Sequence, residues 1–267
     1  LHCLNKNKIV SYLDKKTKKI DDEITKNQNL IKLLQEKRQS EINHAVTKGL
    51  DDTVPMKDSG IEWIGKLPEE WELNKLKNVC NIQRGKFTHR PRNDPALYGG
   101  RFPFIQTGDV ENSNGVIKFF SQSLNDKGVL VSRIFPTDTI VMTIAATIGS
   151  VAITSFPVCF PDSVVGFNSS KLYYLYLYYY LKTLKNYLEG IASTTTQKNI
   201  NYDFLKLLTI PIPTSKIEQK QISNHLDKKT TKIDSLISKI QLQISKLEEF
   251  RESLISSAVT GKICVTN

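Results

Sequence analysis

Leu13-Asp-Lys-Lys-Thr-Lys-Lys-Ile-Asp21 recurs as Leu226-Asp-Lys-Lys-Thr-Thr-Lys-Ile-Asp234. The match continues at the same offset through Ile24/Ile237, Ile31/Ile244, Leu34/Leu247, Arg38/Arg251 and Ile42/Ile255, and ends with Ala45-Val46-Thr47 over Ala258-Val259-Thr260. About 20 of the positions between 13 and 49 are identical in the two copies. Unrelated sequence separates them, which excludes a solenoid of short stacked repeats. One element is used twice around an insert.

Both copies read as long helices. Leu226, Ile233, Ile240, Leu247 and Leu254 recur every seven residues, and Thr230, Ile237, Ile244, Arg251 and Ala258 fill the alternate positions. In the first copy Leu13, Ile20 and Leu34 form one line, with Val10, Thr17, Ile24, Ile31 and Ala45 on the other. An apolar seam at this spacing predicts helices packed as an antiparallel coiled coil. Asn27 stands where Ile240 stands in the second copy, a buried polar residue of the kind that fixes register. Ser215 with Glu218 three residues on predicts an N-terminal cap, and Gly49 and Gly261 predict the stops.

Between the helices the composition changes. Residues 51–214 hold most of the prolines, glycines and aromatics and have the size of one domain. The division is therefore 1–50, 51–214 and 215–267. The β-branched runs 138–149 and 150–154 predict strands, and Asn114-Gly115 predicts a hairpin turn before a strand at 116–120. Residues 171–189 predict a helix ended by Gly190. Its tyrosines, 173, 174, 176 and 178–180, are expected to pack within the core. The fold class is α+β, with a mixed, mostly antiparallel, β-rich domain inserted between the helices.

The chain of 267 residues is 39% hydrophobic, which suits a protein that buries a core and excludes a wholly disordered one. No apolar run approaches the roughly 18 residues of a membrane span, and no signal peptide opens the sequence. The four cysteines (3, 80, 159, 264) are widely spaced, which suggests neither a disulfide framework nor a zinc site and predicts a reducing, cytoplasmic setting. The net charge of +10 permits a polyanionic partner. It divides as +5, +2 and +3 over the three segments. In the middle one it is local, with Arg84, Lys86, Arg90, Arg92 and Arg101 sharing a stretch whose one acid is Asp94.

No glycine-rich phosphate loop is present. Asn93-Asp-Pro-Ala-Leu-Tyr98 lacks the second proline of an amino-methyltransferase loop. Asp162 with Glu218-Gln-Lys220 can be aligned with a nuclease metal site, but Glu218 and Lys220 open the second helix, where capping explains them. Four scattered histidines provide no triad. The residues therefore predict neither catalysis nor a metal site in this chain.

Asp58-Ser-Gly-Ile-Glu-Trp-Ile-Gly-Lys-Leu-Pro-Glu-Glu-Trp-Glu72, Gln197-Lys-Asn-Ile200 followed by Ile210-Pro-Ile-Pro213, and the helices closing on Ala258-Val-Thr-Gly-Lys-Ile263 carry a resemblance over essentially the whole chain. So do Phe104-Ile-Gln-Thr-Gly-Asp109 and Thr147-Ile-Gly-Ser-Val-Ala152. Together they resemble the specificity subunit of type I restriction–modification enzymes. The central helix departs in ending Thr47-Lys-Gly49, with Gly and Lys exchanged relative to Thr260-Gly-Lys262. The resemblance implies a non-catalytic reader of one half of a bipartite duplex DNA target. It implies docking of methyltransferase subunits and, in the full enzyme, of the restriction subunit, with S-adenosylmethionine and ATP belonging to those partners and no cofactor in this chain. A full subunit of this kind has two recognition domains and this chain holds one, so a further domain upstream, or a half-subunit that self-associates as a homodimer, is expected. The rival classes are a stand-alone DNA-binding nuclease and a purely structural coiled-coil protein.

For a DNA reader, the expected contacts are Arg84, Lys86, Thr88, His89, Arg90 and Arg92 on the basic, turn-rich stretch. Gln106, Thr107, Thr195, Gln197, Lys198 and Asn199 join them from amide- and hydroxyl-rich segments beside apolar runs. Arginine suits guanine and amides suit adenine, and several of these residues are expected to meet phosphates instead.

Overall fold

The computed structural model describes residues 6–193 and 199–263. They fall into two compact units, one drawn from residues 1–41 and 227–267 and the other from Ile42–Leu226.

Two helices, Lys6–Lys48 and Lys216–Val259, supply the first unit. They run antiparallel there. Asp21 pairs with Arg251 and Arg38 pairs with Asp234, so 17 residues forward on one helix correspond to 17 backward on the other. Ile20, Thr230 and Ile233 are buried, while Leu13, Ile24, Asn27, Ile31 and Leu34 are half-buried. Ile237, Ile240, Ile244, Leu247 and Leu254 are half-buried as well. Two helices alone enclose a seam on one side each, which leaves most of its residues partly open. Val10 is 49% exposed and lies outside the seam that its spacing predicted. The Asn27 Nδ2 is buried without a hydrogen-bond partner among the described residues. Both stops use left-handed glycines, Gly49 at φ +82° and Gly261 at φ +73°. The Glu218 N–H donates to Ser215 Oγ at 3.0 Å, as a capped start requires.

The second unit is β-rich. Its five-stranded sheet runs in the order Asn81–Arg84, Val164–Asn168, Ile140–Thr143, Val151–Thr154 and Val116–Ile117. A four-stranded sheet runs Gln122–Leu124, Tyr98–Phe104, Val158–Cys159 and Ile134–Phe135. Two antiparallel pairs complete it, Met56–Asp58 with Lys66–Pro68 and Glu72–Lys75 with Thr209–Ile212. The larger sheets each contain one parallel pairing, which makes the unit mixed and mostly antiparallel.

Three local expectations are corrected. The run 138–149 is a strand only over Ile140–Thr143, because Ala146 (φ +60°) and Gly149 (φ +77°) turn the chain into a loop. Asn114 and Gly115 do adopt turn angles, but a helix precedes them, and Val116–Ile117 joins the sheet in parallel instead of closing a hairpin. The helix expected over 171–189 is two helices, Tyr174–Thr183 and Lys185–Ser193, and Gly190 lies inside the second.

Tyr176, Tyr178, Tyr179 and Tyr180 are buried, whereas Tyr174 is exposed. The Tyr176 hydroxyl sits 2.7 Å from the Pro211 carbonyl and 3.1 Å from that of Val46. Trp71, fully buried edge-on to Tyr176, donates its indole N–H to Glu218 at 3.0 Å. These three residues tie the ends of both long helices and the Thr209–Ile212 strand into the core of the second unit.

Candidate nucleic-acid interface

The basic stretch leaves the five-stranded sheet at Arg84 and crosses the turn before Val164. Gly85 permits this path. A Cβ there would sit 2.1 Å from the Pro161 carbonyl oxygen, so any side chain would push the crossing segments apart. The Lys86 N–H then donates to the Phe160 carbonyl at 3.0 Å and leaves the Lys86 side chain exposed.

Most of the cations along this stretch are held by the protein itself. Arg92 Nη2 lies 2.8 and 2.9 Å from the two oxygens of Asp162, and Arg84 Nε donates to the Asp162 carbonyl at 2.6 Å. Arg90 donates to the carbonyls of Phe87 and His89 at 2.9 and 2.8 Å. His89 pairs with Asp94 at 3.0 Å, and Asp94 also caps the turn at Pro95 by accepting from the Ala96 N–H. The Tyr98 hydroxyl donates to the Arg92 carbonyl. Burial pushes this phenol's pKa up, while the Arg92 charge pulls it the other way. Thr88 is exposed and bonded to the Val131 carbonyl through its backbone at 3.0 Å. Bonded guanidiniums keep free N–H groups for phosphates, but their planes are already set by protein partners.

Beside this loop is a cavity of about 390 Å³ lined by the buried Phe87, Phe104 and Pro161, the half-buried Tyr98 and Gln106, and the exposed Arg92, Asn93 and Gln122. The Gln106 Nε2 donates to Gln122 Oε1 at 3.0 Å. Thr107 follows Gln106 at the start of a short helix, and its carbonyl accepts from Thr147 Oγ1 at 3.3 Å. Asn199 is exposed and its backbone bridges to Ala145. Thr195, Gln197 and Lys198 lie outside the described residues.

The structure thus brings the 84–92 stretch together with Gln106. Asp162, Tyr98 and Gln122 join it without having been expected there: Gln122 comes by strand pairing with Phe104, Asp162 by the crossing at Gly85, and Tyr98 by a local turn back to the Arg92 carbonyl. One signal was available: Gln106-Thr-Gly-Asp109 is a capping arrangement, and the Asp109 carboxylate does accept from the Gln106 N–H at 2.7 Å.

Among the described residues no group of three His, Cys, Asp or Glu side chains is placed to hold a metal. Asp162 is paired with Arg92, and Glu218 holds Trp71. No helix among the described residues is long and apolar enough to cross a membrane.

Residues 68–246 match the family model described as the type I restriction modification DNA specificity domain. The chain belongs to this family. The type I restriction enzyme MjaIX specificity subunit of Methanocaldococcus jannaschii is 27% identical over 68% of this chain and 44% of its own length. The putative MjaX specificity subunit of the same organism is 25% identical over 88% and 52%. The EcoKI specificity subunit of Escherichia coli is 23% identical over 74% and 44%. The chain spans about half the length of these curated relatives. Among solved structures, the HsdS subunit of Thermoanaerobacter tengcongensis superposes with a TM-score of 0.61 at 18% identity, over 96% of this chain and 58% of that one. A chain from a structure of complex assembly and conformational transition of the type I R-M system gives 0.63 at 18%, over 93% and 59%. The fold is that of type I specificity subunits.

Proposed function

We propose that this chain supplies one recognition domain of a type I specificity subunit and reads one half of a bipartite duplex DNA target. The family match across residues 68–246 carries this reading. The braced basic loop beside a cavity lined in part by amides supports it, because positive charge positions a protein on phosphates while fixed donors and acceptors read bases. In this reading the chain is non-catalytic and cytoplasmic and holds no cofactor of its own. S-adenosylmethionine and ATP belong to the methyltransferase and restriction subunits that it gathers. A second recognition domain comes from the remainder of a longer chain or from a second copy.

The helical pair is the docking element. Leu30, Leu236 and Phe250, at 44%, 48% and 57% exposure, each directly precede a seam residue (Ile31, Ile237, Arg251). That position places all three on one flank of an antiparallel pair. Exposed apolar side chains gathered on one flank suit a protein partner.

Co-expression with methyltransferase subunits, followed by affinity capture and methylation mapping, tests the reading. Stable capture and a methylated sequence that changes when residues 84–122 are exchanged are expected. Metal-dependent cleavage of DNA by the purified chain would replace this reading with the nuclease, and absence of any DNA binding would replace it with a structural role.

A further inference from the structure

We propose that Gln122, braced by Gln106, reads the major-groove edge of an adenine, with Asp109 as the positioning residue for both amides. This rests on the chain being a DNA reader, and it assigns adenine to Gln122, a residue that the sequence did not single out.

The geometry starts with the backbone. Gln122 opens the strand Gln122–Leu124 and is paired with Phe104, two residues before Gln106. Asp109 closes the remaining gap. Its carboxylate accepts from the Gln106 N–H at 2.7 Å, from the Ser121 N–H at 3.2 Å and from Ser121 Oγ at 3.0 Å. One carboxylate therefore fixes the main chain at Gln106 and at the residue before Gln122.

The amides complete the arrangement. Gln106 Nε2 donates to Gln122 Oε1, which sets the plane of the Gln122 amide and uses one lone pair of its oxygen. Its second lone pair and Nε2 make no other hydrogen bond among the described residues, and Gln122 is an exposed residue of the cavity lining. A fixed amide that offers one donor and one acceptor side by side matches adenine, which presents N7 as acceptor and N6 as donor. A guanine edge offers two acceptors and cannot satisfy both atoms. Arg84 and Arg92, held on Asp162, brace the loop and meet phosphates in this arrangement.

The test is selection of duplexes from a randomised library by the purified full chain, with wild type, Gln122→Ala and Gln122→Glu compared. Wild type should select adenine at one position. Gln122→Ala should reduce that preference by roughly tenfold or more while leaving neighbouring positions unchanged. Gln122→Glu, which keeps the shape but only accepts, should move the preference towards cytosine, whose N4 donates. Replacing the selected adenine by 7-deazaadenine should weaken wild type and leave Gln122→Ala unaffected. Matching thermal melts for the variants verify that they fold. A wild type that selects a sequence while both variants keep the same adenine preference overturns this assignment alone. A wild type that selects no sequence overturns the DNA-reading function and this assignment with it.

Discussion

Arg38 and Asp234 form an ion pair at 2.9 Å that is repeated by Arg251 and Asp21 at 2.8 Å. Arg251 is the counterpart of Arg38 in the repeat, and Asp234 the counterpart of Asp21. The duplicated sequence thus makes one cross-helix contact twice, related by a local pseudo-twofold axis across the antiparallel pair. Both pairs are partly exposed, with Arg38 and Asp234 at 22% and 53% and Arg251 and Asp21 at 39% and 50%. Exposed pairs contribute little energy, about 0.2–1 kcal/mol each. Each arginine occupies a seam position and meets its aspartate in the observed alignment, whereas a slip of one heptad would set Arg38 beside Asp227 and Arg251 beside Asp14 instead. Arg38→Asp alone should lower the melting temperature, and Arg38→Asp with Asp234→Arg should recover most of the loss. A double variant that melts no higher than the single one would show that the contact adds nothing to the stability of the pair.

The core contacts of the second unit carry more energy. Tyr176→Phe removes a hydroxyl that satisfies the buried carbonyls of Pro211 and Val46. Urea unfolding should show a loss of about 1–3 kcal/mol, the cost of an unsatisfied buried polar group. Leu226→Ala, at a fully buried position, should cost about 2–5 kcal/mol.

The seam was legible in the sequence because it is local: a seven-residue period needs no knowledge of the partner. The two sheets were legible only as β-rich segments. Gln122 meets Gln106 through register with the Tyr98–Phe104 strand, and Asp162 meets Arg84 and Arg92 through a crossing that Gly85 allows. Both depend on long-range pairing that no local pattern encodes. The split helix fails for a related reason. Leu184 is buried between its halves, and Gly149 approaches Lys185 so closely that a Cβ there would lie 2.9 Å from the Lys185 Cα. Tertiary packing overrode a periodicity that read as one helix.

Alkaline pH should unfold the protein in a predictable window. Burial raises the Cys80 thiol from 9.0 to about 12, and it raises the Tyr176 phenol well above its ordinary value. For groups raised in the folded state, the unfolded chain loses its protons first. The Cys80 contribution is fully present below pH 9 and is lost as pH rises through about 12, and the Tyr176 contribution is lost in the same direction. Melting temperature measured against pH should fall across this range, and Cys80→Ser should flatten part of the fall. Alkylation mapped by mass spectrometry should leave Cys80 unlabelled in the native chain at pH 8 and labelled in denaturant.

Docking through the helical pair predicts a separation of functions. Leu30→Asp with Phe250→Asp changes exposed residues, so stability should move by less than about 0.5 kcal/mol. Capture of methyltransferase subunits should fall sharply, whereas duplex binding by the purified chain should persist. Equal capture by wild type and variant would place the docking surface elsewhere.

A matched deletion tests whether the helices set a distance. Residues 24–30 and 242–248 lie at one level of the antiparallel pair, as the Asp21–Arg251 and Arg38–Asp234 contacts on either side show. Removing both heptads brings Glu23 against Ile31 and Gln241 against Glu249 with the seam still in phase. It should shorten the pair by about 10 Å at the helical rise of about 1.5 Å per residue. At about 3.4 Å per base pair this equals about three base pairs. In a complete assembly with two recognition domains, the same half-sites should then be methylated with a spacer about three base pairs shorter. Deleting three residues from each helix puts the seam out of phase and should abolish folding of the pair instead. Methylation at the original spacer by the heptad-deleted assembly would show that the partner subunits, and not the helices, fix the separation.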